Sequence, residues 1–193
     1  MPTVHGAEHG AILARDGTVL APGDNSRPVV VDAIPIRRTP TDIRALVTSS
    51  LGAMIAQAHA ADVTLETSVD ERVPPLVNID ADKIGWALSA LAGNALRYVR
   101  HGSNVMPGGA ITVRITYQEI RPSVVIEVQD DGPGIPADKL RTLFEVALDR
   151  PRVALGLLIV RDFVIAHAGQ LEVRGDAGTA GRGTTIRITL PVS

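Results

Sequence analysis

The chain has 193 residues, a length that suits one domain with an appendage, and its formal net charge of -2 offers no basic field for nucleic acid. It contains no cysteine, which excludes disulfides and thiolate metal sites. Hydrophobic residues make up 45% of the sequence but aromatic residues only 3%, so the core must consist mainly of alanine, valine, leucine and isoleucine.

The sequence also lacks the signals of membrane insertion. No stretch is apolar for long enough to span a bilayer, and the N-terminus lacks the apolar stretch of a signal peptide. We therefore expect a cytoplasmic chain with no direct membrane contact and no nucleic-acid partner.

Residues 1–40 differ in composition from the rest of the chain. A segment around Asp16-Gly17 has the pattern of a hairpin, and residues 29–31 have that of a short strand. Five of the 13 prolines fall here: Pro2, Pro22, Pro28, Pro35 and Pro40. We interpret residues 1–40 as an irregular extension or linker and assign residues 41–193 to one domain.

The first predicted element of that domain is a helix from Thr41 to about Ala61. Apolar residues recur in it at helical spacing, Thr41 is placed to cap the first turn, and Asp42 complements the helix dipole. An alternating stretch then predicts a strand over residues 63–67. A loop containing two prolines leads on towards Asp80.

A second helix is predicted to start after Asp80. Asn94 falls at the border of its apolar stripe and Gly93 adjoins it, and both residue types disfavour a helix interior. A polar flank residue is the simpler interpretation of Asn94, but two unfavourable residues together indicate a site that they serve. The apolar face comprises Ile84, Ala87, Leu88, Leu91, Ala95 and Tyr98.

The C-terminal half alternates between strand and helix patterns. Its first two strands are expected to pair antiparallel, its last two to complete the same sheet, and its second helix, apolar nearly all round, to be buried. The predicted elements are strands over 111–116 and 124–128, a helix containing Phe144, a helix from about Ala154 to Ala168, and strands over 170–174 and 184–190.

The turn Asp130–Pro136 joins the second of these strands to the helix that contains Phe144. Taken alone, it is a tight turn in which glycine supplies unusual backbone angles and proline stops strand pairing. A functional turn of this kind would hold Asp130 as a fixed acceptor facing a pocket. Gly132 and Gly134 would then let a flat ligand approach the backbone.

That turn belongs to an ordered set of motifs, which favours the functional interpretation. In order they lie in residues 80–98, 130–136, 143–145, 155–161 and 181–185. The set resembles the ATP-binding catalytic domain of sensor histidine kinases, whose superfamily includes gyrase, a heat-shock chaperone and a mismatch-repair ATPase. The resemblance covers about residues 41–193. It implies a two-layer α/β (α+β) sandwich of the Bergerat type, with a mixed, mostly antiparallel sheet and helices on one face.

The resemblance also implies roles for individual residues, with ATP and Mg²⁺ as ligands. Asp130 would accept a hydrogen bond from the adenine amine, Asn94 would bind Mg²⁺, and Arg97 would reach the phosphates, which makes Asn94 and Arg97 the catalytic pair. Gly156, placed before a helix, would present the helix N-terminus to the phosphates. For Tyr98, plain packing in the core stays open beside a contact near the adenine base. The other implied nucleotide contacts are Tyr98, Gly132, Gly134, Ile135, Phe144, Leu155, Leu157 and Thr184.

Two departures from the family pattern bear on the reaction. The stretch 154–157 keeps only one glycine of the usual lid motif, and the span from Phe144 to Gly156 is short, which predicts weaker nucleotide closure. The superfamily's ATPases carry a general-base glutamate one turn before the magnesium asparagine, where this chain has Ala90. Phosphoryl transfer to a histidine is therefore favoured over hydrolysis, because transfer depends more on positioning than on a base.

The phosphorylated histidine is expected outside this chain. None of the five histidines is followed by Asp or Glu, the usual neighbour of a phosphoacceptor in this family. The implied partners are a dimerising histidine phosphoacceptor domain and a response regulator receiver domain. Two alternatives stay open: a degenerate, non-catalytic binding module, and an anti-sigma-type serine kinase, against which Ala90 counts.

Overall fold

The computed structural model describes residues 34–103, 105–136, 139–140, 153–176 and 183–192. Within these ranges the chain forms three helices and seven strands. In chain order they are β1 (Thr39–Thr41), α1 (Ile43–Ala60), β2 (Thr64–Val69), β3 (Val77–Ile79), α2 (Ala81–Tyr98), β4 (Ala110–Gln118), β5 (Ser123–Asp130), α3 (Val153–Ala166), β6 (Gln170–Asp176) and β7 (Gly183–Pro191). None of the described helices combines the length and apolar character needed to cross a membrane.

The main sheet has five strands in the order β2-β4-β5-β7-β6, and a separate two-stranded sheet pairs β1 with β3. β2 runs parallel to β4, while the other three neighbouring pairs are antiparallel. Contacts join the helices to each other and to the main sheet, so the predicted mixed, mostly antiparallel sandwich is confirmed.

The central strand β5 forms because its side chains alternate between two environments. On the inner face Ile126 stands opposite Ile115 of β4 and Ile188 of β7, and all three are fully buried. On the outer face Glu127 accepts hydrogen bonds from Arg114 and Arg187 at 3.2 and 2.7 Å. This division between an apolar and a charged face specifies the strand register.

The start of α1 differs from the prediction in its capping residue. Asp42, not Thr41, is the N-cap, and its side chain accepts hydrogen bonds from the backbone N–H groups of Arg44 and Ala45 at 2.8 and 3.1 Å. Thr41 is unavailable because it ends β1, where it pairs with Val77. β1 crosses the boundary drawn after residue 40, since its first two residues belong to the stretch interpreted as an extension. The division of the chain at residue 40 stays a prediction.

Helix α2 begins where it was predicted, with Asp80 as its N-cap, and the residues Ile84, Ala87, Leu88, Leu91 and Ala95 of its apolar face are buried. Tyr98, assigned to the same face, is instead 45% exposed, since it ends the helix at the edge of the core. The prediction that Tyr98 faces the core is therefore wrong.

Helix α3 is buried along one side only, contrary to the prediction. Leu157, Val160 and Val164 face the core, whereas Ile165 is 43% exposed, because α3 packs against α2, β6 and β7 from one direction. Asp80 at the start of α2 bonds His167 after the end of α3, and Trp86 packs against Phe163, so α3 runs antiparallel to α2.

Of the predicted helix around Phe144 only residues 139–140 are described, and both are helical. Phe144 itself, the hairpin near Asp16 and the strand predicted over residues 29–31 lie outside the described residues.

Candidate functional site

A cavity of about 500 Å³ opens between the C-terminal half of α2, the end of β5, the turn after β5, the start of β7 and the second turn of α3. Its walls are mostly apolar, with a few polar groups that converge on it, as is typical of small-molecule sites. It is lined by Leu91, Asn94, Ala95, Tyr98, Val128, Asp130, Pro133, Gly134, Ile135, Pro136, Lys139, Leu157, Thr184 and Ile186.

Asp130 is the buried acid of this cavity. It ends β5 and is 9% exposed, and its Oδ1 accepts hydrogen bonds from the backbone N–H groups of Gly132 at 2.9 Å and Thr184 at 3.3 Å. Burial raises the pKa of Asp130; the two N–H groups oppose this shift, and the neighbouring charge of Asp131 adds to it. The carboxylate is thus held in place as an acceptor for a ligand N–H group.

Two glycines allow the backbone to fold closely around Asp130. A Cβ at Gly132 would lie 2.7 Å from Asp130 Oδ1 and 3.1 Å from the carbonyl oxygen of Tyr98. Gly183 has φ +136°, and a Cβ there would lie 2.0 Å from the carbonyl oxygen of Asp130. A larger residue at Gly132 would therefore press on the carboxylate of Asp130, and one at Gly183 would press on its backbone carbonyl.

The cavity brings together seven of the sequence-predicted site residues: Asn94, Tyr98, Asp130, Gly134, Ile135, Leu157 and Thr184. Asn94 is half-buried on α2 and lines the same cavity as Asp130. Gly132 does not line the cavity, but its backbone N–H donates to the carboxylate of Asp130.

The remaining predicted residues lie elsewhere. Arg97 is exposed on the last turn of α2 and does not line the cavity. Gly156 lies inside α3, three residues after its start at Val153, so the prediction that it precedes the helix is wrong. The observed start agrees with the helix predicted from about Ala154, a range that already places Gly156 inside the helix. Phe144 and the side chain of Leu155 are outside the described residues.

Sequence reasoning missed several lining residues. Lys139 adds a cation at the cavity, and Val128 and Ile186 add apolar wall from paired positions in β5 and β7. The strand alternation predicted that Val128 and Ile186 point inward, but only the pairing of β5 with β7 shows that they share this cavity. For Lys139 the sequence carried no signal beyond its position three residues after the glycine turn.

Residues 79–193, which contain the whole described lining of the cavity, match the model of the family described as Histidine kinase-, DNA gyrase B-, and HSP90-like ATPase.

Curated proteins of similar sequence are sensor kinases. Sensor histidine kinase WalK of Bacillus subtilis (strain 168) is 35% identical over 123 residues, or 60% of this chain and 19% of WalK. Adaptive-response sensory kinase SasA of Synechococcus sp. (strain JA-3-3Ab) is 28% identical over 163 residues, or 81% of this chain and 40% of SasA. Sensor histidine kinase ZraS of Escherichia coli (strain K12) is 28% identical over 155 residues, or 79% of this chain and 30% of ZraS. The chain thus spans between about a fifth and two fifths of these relatives.

Solved structures show the same relationship. Full-length ShkA in complex with AMPPNP superposes with a TM-score of 0.69 at 25% identity, covering 83% of this chain and 32% of ShkA. The mycobacterial sensor histidine kinase MprB superposes with a TM-score of 0.65 at 30% identity, covering 81% of this chain and 98% of the MprB chain. Since the family match also takes in more than half of the 193 residues, the chain belongs to the histidine kinase-, DNA gyrase B- and HSP90-like ATPase family, and its relatives within that family are sensor histidine kinases.

Proposed function

We propose that this chain is the part of a two-component sensor histidine kinase that binds ATP and transfers its γ-phosphoryl group to a histidine on a separate, dimerising phosphoacceptor domain. The observation that carries the proposal is the buried, backbone-anchored carboxylate of Asp130 in the wall of a cavity of about 500 Å³, with Asn94 in the same lining. A response regulator receiver domain would take the phosphoryl group next, in the cytoplasm.

The adenine ring would enter between the apolar walls. Asp130 would accept a hydrogen bond from its exocyclic amine, and Leu91, Val128 and Ile186 would cover its faces. Guanine carries a carbonyl oxygen at the corresponding position, so two acceptors would oppose each other and guanine nucleotides would be rejected.

The phosphate end would need oxygen ligands for Mg²⁺ and positive charge. The side-chain oxygen of Asn94 fits a hard cation, and Lys139 contributes charge from the lining. We keep Arg97 as a proposed phosphate contact, since its long side chain starts one helical turn beyond Asn94. Bound Mg²⁺ would supply charge neutralisation for the transferring phosphoryl group.

The transfer itself would need little from this chain beyond positioning. A histidine nitrogen of the partner would attack the γ-phosphorus, the bond to the oxygen that bridges the β- and γ-phosphates would break, and ADP would leave. Among the described residues, His59 and His101 are exposed, His167 is buried, and none lines the cavity. Their positions support an acceptor on another segment or protein.

One observation favours a second candidate, a degenerate module that acts by protein contact and binds nucleotide weakly or not at all. Arg97, proposed to reach the phosphates, is absent from the described cavity lining. The two candidates differ in whether γ-phosphoryl transfer occurs at all.

We expect this chain alone to remain unlabelled when incubated with magnesium and γ-labelled ATP. Adding separately purified phosphoacceptor domains should produce acid-labile label on the partner, because the chain supplies the nucleotide site and the partner supplies the histidine. Asp130→Ala, which removes the adenine acceptor, is the matched control. Label on a histidine of this chain would contradict the proposal, and label nowhere would favour the degenerate module.

Steady-state ATP hydrolysis should be negligible. Ala90 lies on α2 one turn before Asn94, so no carboxylate stands at the position where the superfamily's ATPases activate water. Phosphate release is the measurement, with Ala90→Glu as a gain-of-function comparison. Turnover in the wild type as fast as in a true ATPase of the superfamily would contradict the assignment of the reaction.

Adenosine affinity should fall as the pH is lowered through the pKa of Asp130. Burial raises the pKa of Asp130 above its unfolded-state value. In the free protein, the contribution of Asp130 to the stability of the fold is therefore present at low pH and is lost as the pH rises through the folded-state pKa. An N–H donor stabilises the charged form, and binding is therefore tightest above that pKa. Adenosine is the suitable ligand because it has no phosphate to titrate. Asp130→Asn should show a flat profile, and an equally steep one would place the titrating group elsewhere.

A further inference from the structure

A polar cluster with two buried side chains lies at the opposite end of the α2/α3 pair from the cavity. It consists of Asp80, Lys83 and His167, with Arg37 on the segment that leads into β1, and we name these four residues the latch. Asp80 is 4% exposed and His167 2% exposed. No residue of the latch lines the cavity, so the proposed nucleotide chemistry leaves the latch unexplained.

The hydrogen bonds of the latch connect the segment that leads into β1, here called the entering chain, with α2 and α3. The carboxylate of Asp80 accepts from the backbone N–H of Arg37 at 2.8 Å and from Lys83 Nζ at 2.9 Å. The backbone N–H of Asp80 donates to His167 Nε2 at 3.0 Å, and His167 Nδ1 contacts the carbonyl oxygen of Phe163 at 2.7 Å. A weaker contact of 3.4 Å joins Arg38 to the carbonyl oxygen of Ala166.

This geometry requires a neutral His167. A backbone N–H group only donates, so Nε2 must be unprotonated and accept, and Nδ1 must carry the proton that it donates to Phe163. Imidazolium has no free lone pair, so a protonated His167 cannot accept from Asp80. The Asp80 backbone then has to move away, and the carboxylate that holds Arg37 moves with it.

The charges around His167 also bear on its protonation. Burial lowers the pKa of His167, and the nearby charges of Arg38 on the entering chain and Lys83 on α2 lower it further. The bond to Phe163 and the charge of Asp80 oppose this shift. Asp80 itself stays ionised near neutrality: burial alone would raise its pKa, but the bonds from Arg37 and Lys83 bring it to about 2.

The latch is connected to the cavity through the two helices that it joins. Asp80 caps the N-terminus of α2, and the other half of the same helix carries Asn94 into the cavity. His167 follows the C-terminus of α3, and the first turns of that helix carry Leu157 into the cavity. The latch therefore sets the separation of the two helices at the end remote from the ligand.

We propose that the latch is an acid-sensitive switch: it fastens the entering chain and the remote ends of α2 and α3 while His167 is neutral, and it releases them when His167 gains a proton. The folded-state pKa lies below the ordinary value of 6.5. The stabilisation is therefore present at neutral pH and is lost as the pH falls through that folded-state pKa.

The fluorescence of Trp86 can report the opening of the latch. Trp86 is the single tryptophan, and its ring packs edge-on against Phe163 with 5.6 Å between centroids, while Lys83 Nζ lies 6.0 Å from the Phe163 ring centre. Because the carbonyl of Phe163 holds His167, opening of the latch should change the surroundings of Trp86. Without nucleotide, Trp86 emission of the whole chain should show one transition with a midpoint below pH 6.5.

Hydrogen exchange of the Arg37 amide gives a second measurement of latch opening, and two histidine variants serve as controls. After correction for the intrinsic pH dependence of exchange, protection of the Arg37 amide should fall roughly tenfold across the Trp86 transition, the loss expected for one hydrogen bond to a charged group. His167→Gln, which keeps an acceptor and a donor but does not titrate, should abolish both changes. His59→Gln, at an exposed position on α1, should leave both changes in place.

Absence of the transition in the wild type, its persistence in His167→Gln, or its loss in His59→Gln would overturn the proposal. Should His167→Gln fail to fold, the imidazole resonances of His167 in the wild type decide the matter. They should titrate with the midpoint seen for the Arg37 amide, and His167 titration that leaves that amide unmoved would equally overturn the proposal. These readouts need no nucleotide, so they are independent of the proposed kinase function.

Discussion

Asp130→Ala is expected to weaken ATP binding by roughly 5- to 150-fold, the equivalent of about 1–3 kcal/mol for a lost buried acceptor. In the wild type the adenine amine would meet a carboxylate that Gly132 and Thr184 hold in place. Alanine leaves the amine buried without a partner, and it leaves those two N–H groups without their acceptor. Since the starting affinity is expected to be modest, such a loss would take binding below detection.

Calorimetry on a matched set of variants separates the acceptor from the charge. Asp131→Asn removes the neighbouring charge but keeps an oxygen for the N–H of Ala110, which Asp131 binds at 2.9 Å outside the cavity. This variant should bind ATP almost as the wild type does. Asp130→Asn should fall between wild type and Asp130→Ala. Equal losses in Asp130→Ala and Asp131→Asn would show that Asp130 has no specific role.

Gly183→Ala is expected to destabilise the fold and disrupt the site together. The backbone conformation at φ +136° costs a non-glycine residue about 1–3 kcal/mol. The added Cβ would also lie 2.0 Å from the carbonyl oxygen of Asp130, which forces β7 away from the end of β5. Because Thr184 N–H bonds Asp130, that shift should weaken nucleotide binding as well.

Gly52→Ala provides the matched control for this substitution. Gly52 lies within α1, and a Cβ there would meet no heavy atom within 4 Å. The same chemical change should therefore raise the free energy of unfolding by up to about 1 kcal/mol, because alanine is the better helix former. Urea denaturation of both variants gives the comparison, and a Gly183→Ala protein as stable as Gly52→Ala would show that β7 does not need the glycine.

The strands of the main sheet were predictable where one face is apolar and the other polar. The alternation in β4 and β5 predicted both strands and their antiparallel pairing. β1 and β3 are only three residues each, too short for a periodicity, and β1 has a proline at its centre. Their pairing took Thr41 into a strand and gave the α1 cap to Asp42, which the cap preferences alone could not decide.

Residues that line the cavity were predictable where a motif constrains the backbone, and less so where side-chain direction matters. Asp130 ends a strand and Asn94 borders an apolar stripe, and both line the cavity. Arg97 and Tyr98 are neighbours on the last turn of α2, yet only Tyr98 lines it. The difference arises from the point at which α2 leaves the core, and helical spacing alone does not predict that point. The latch escaped prediction because Arg37 and His167 are both distant in sequence from Asp80, which they contact.

Titration calorimetry of the wild-type chain with ATP and GTP, with and without magnesium, tests the central claim most directly. We expect ATP to bind in the micromolar-to-millimolar range, about -8 to -4 kcal/mol, and GTP to give no signal. Asn94→Ala should remove only the part of the ATP signal that depends on magnesium. If ATP produces no heat at millimolar concentration, or if GTP binds equally well, the cavity is not an adenine-nucleotide site.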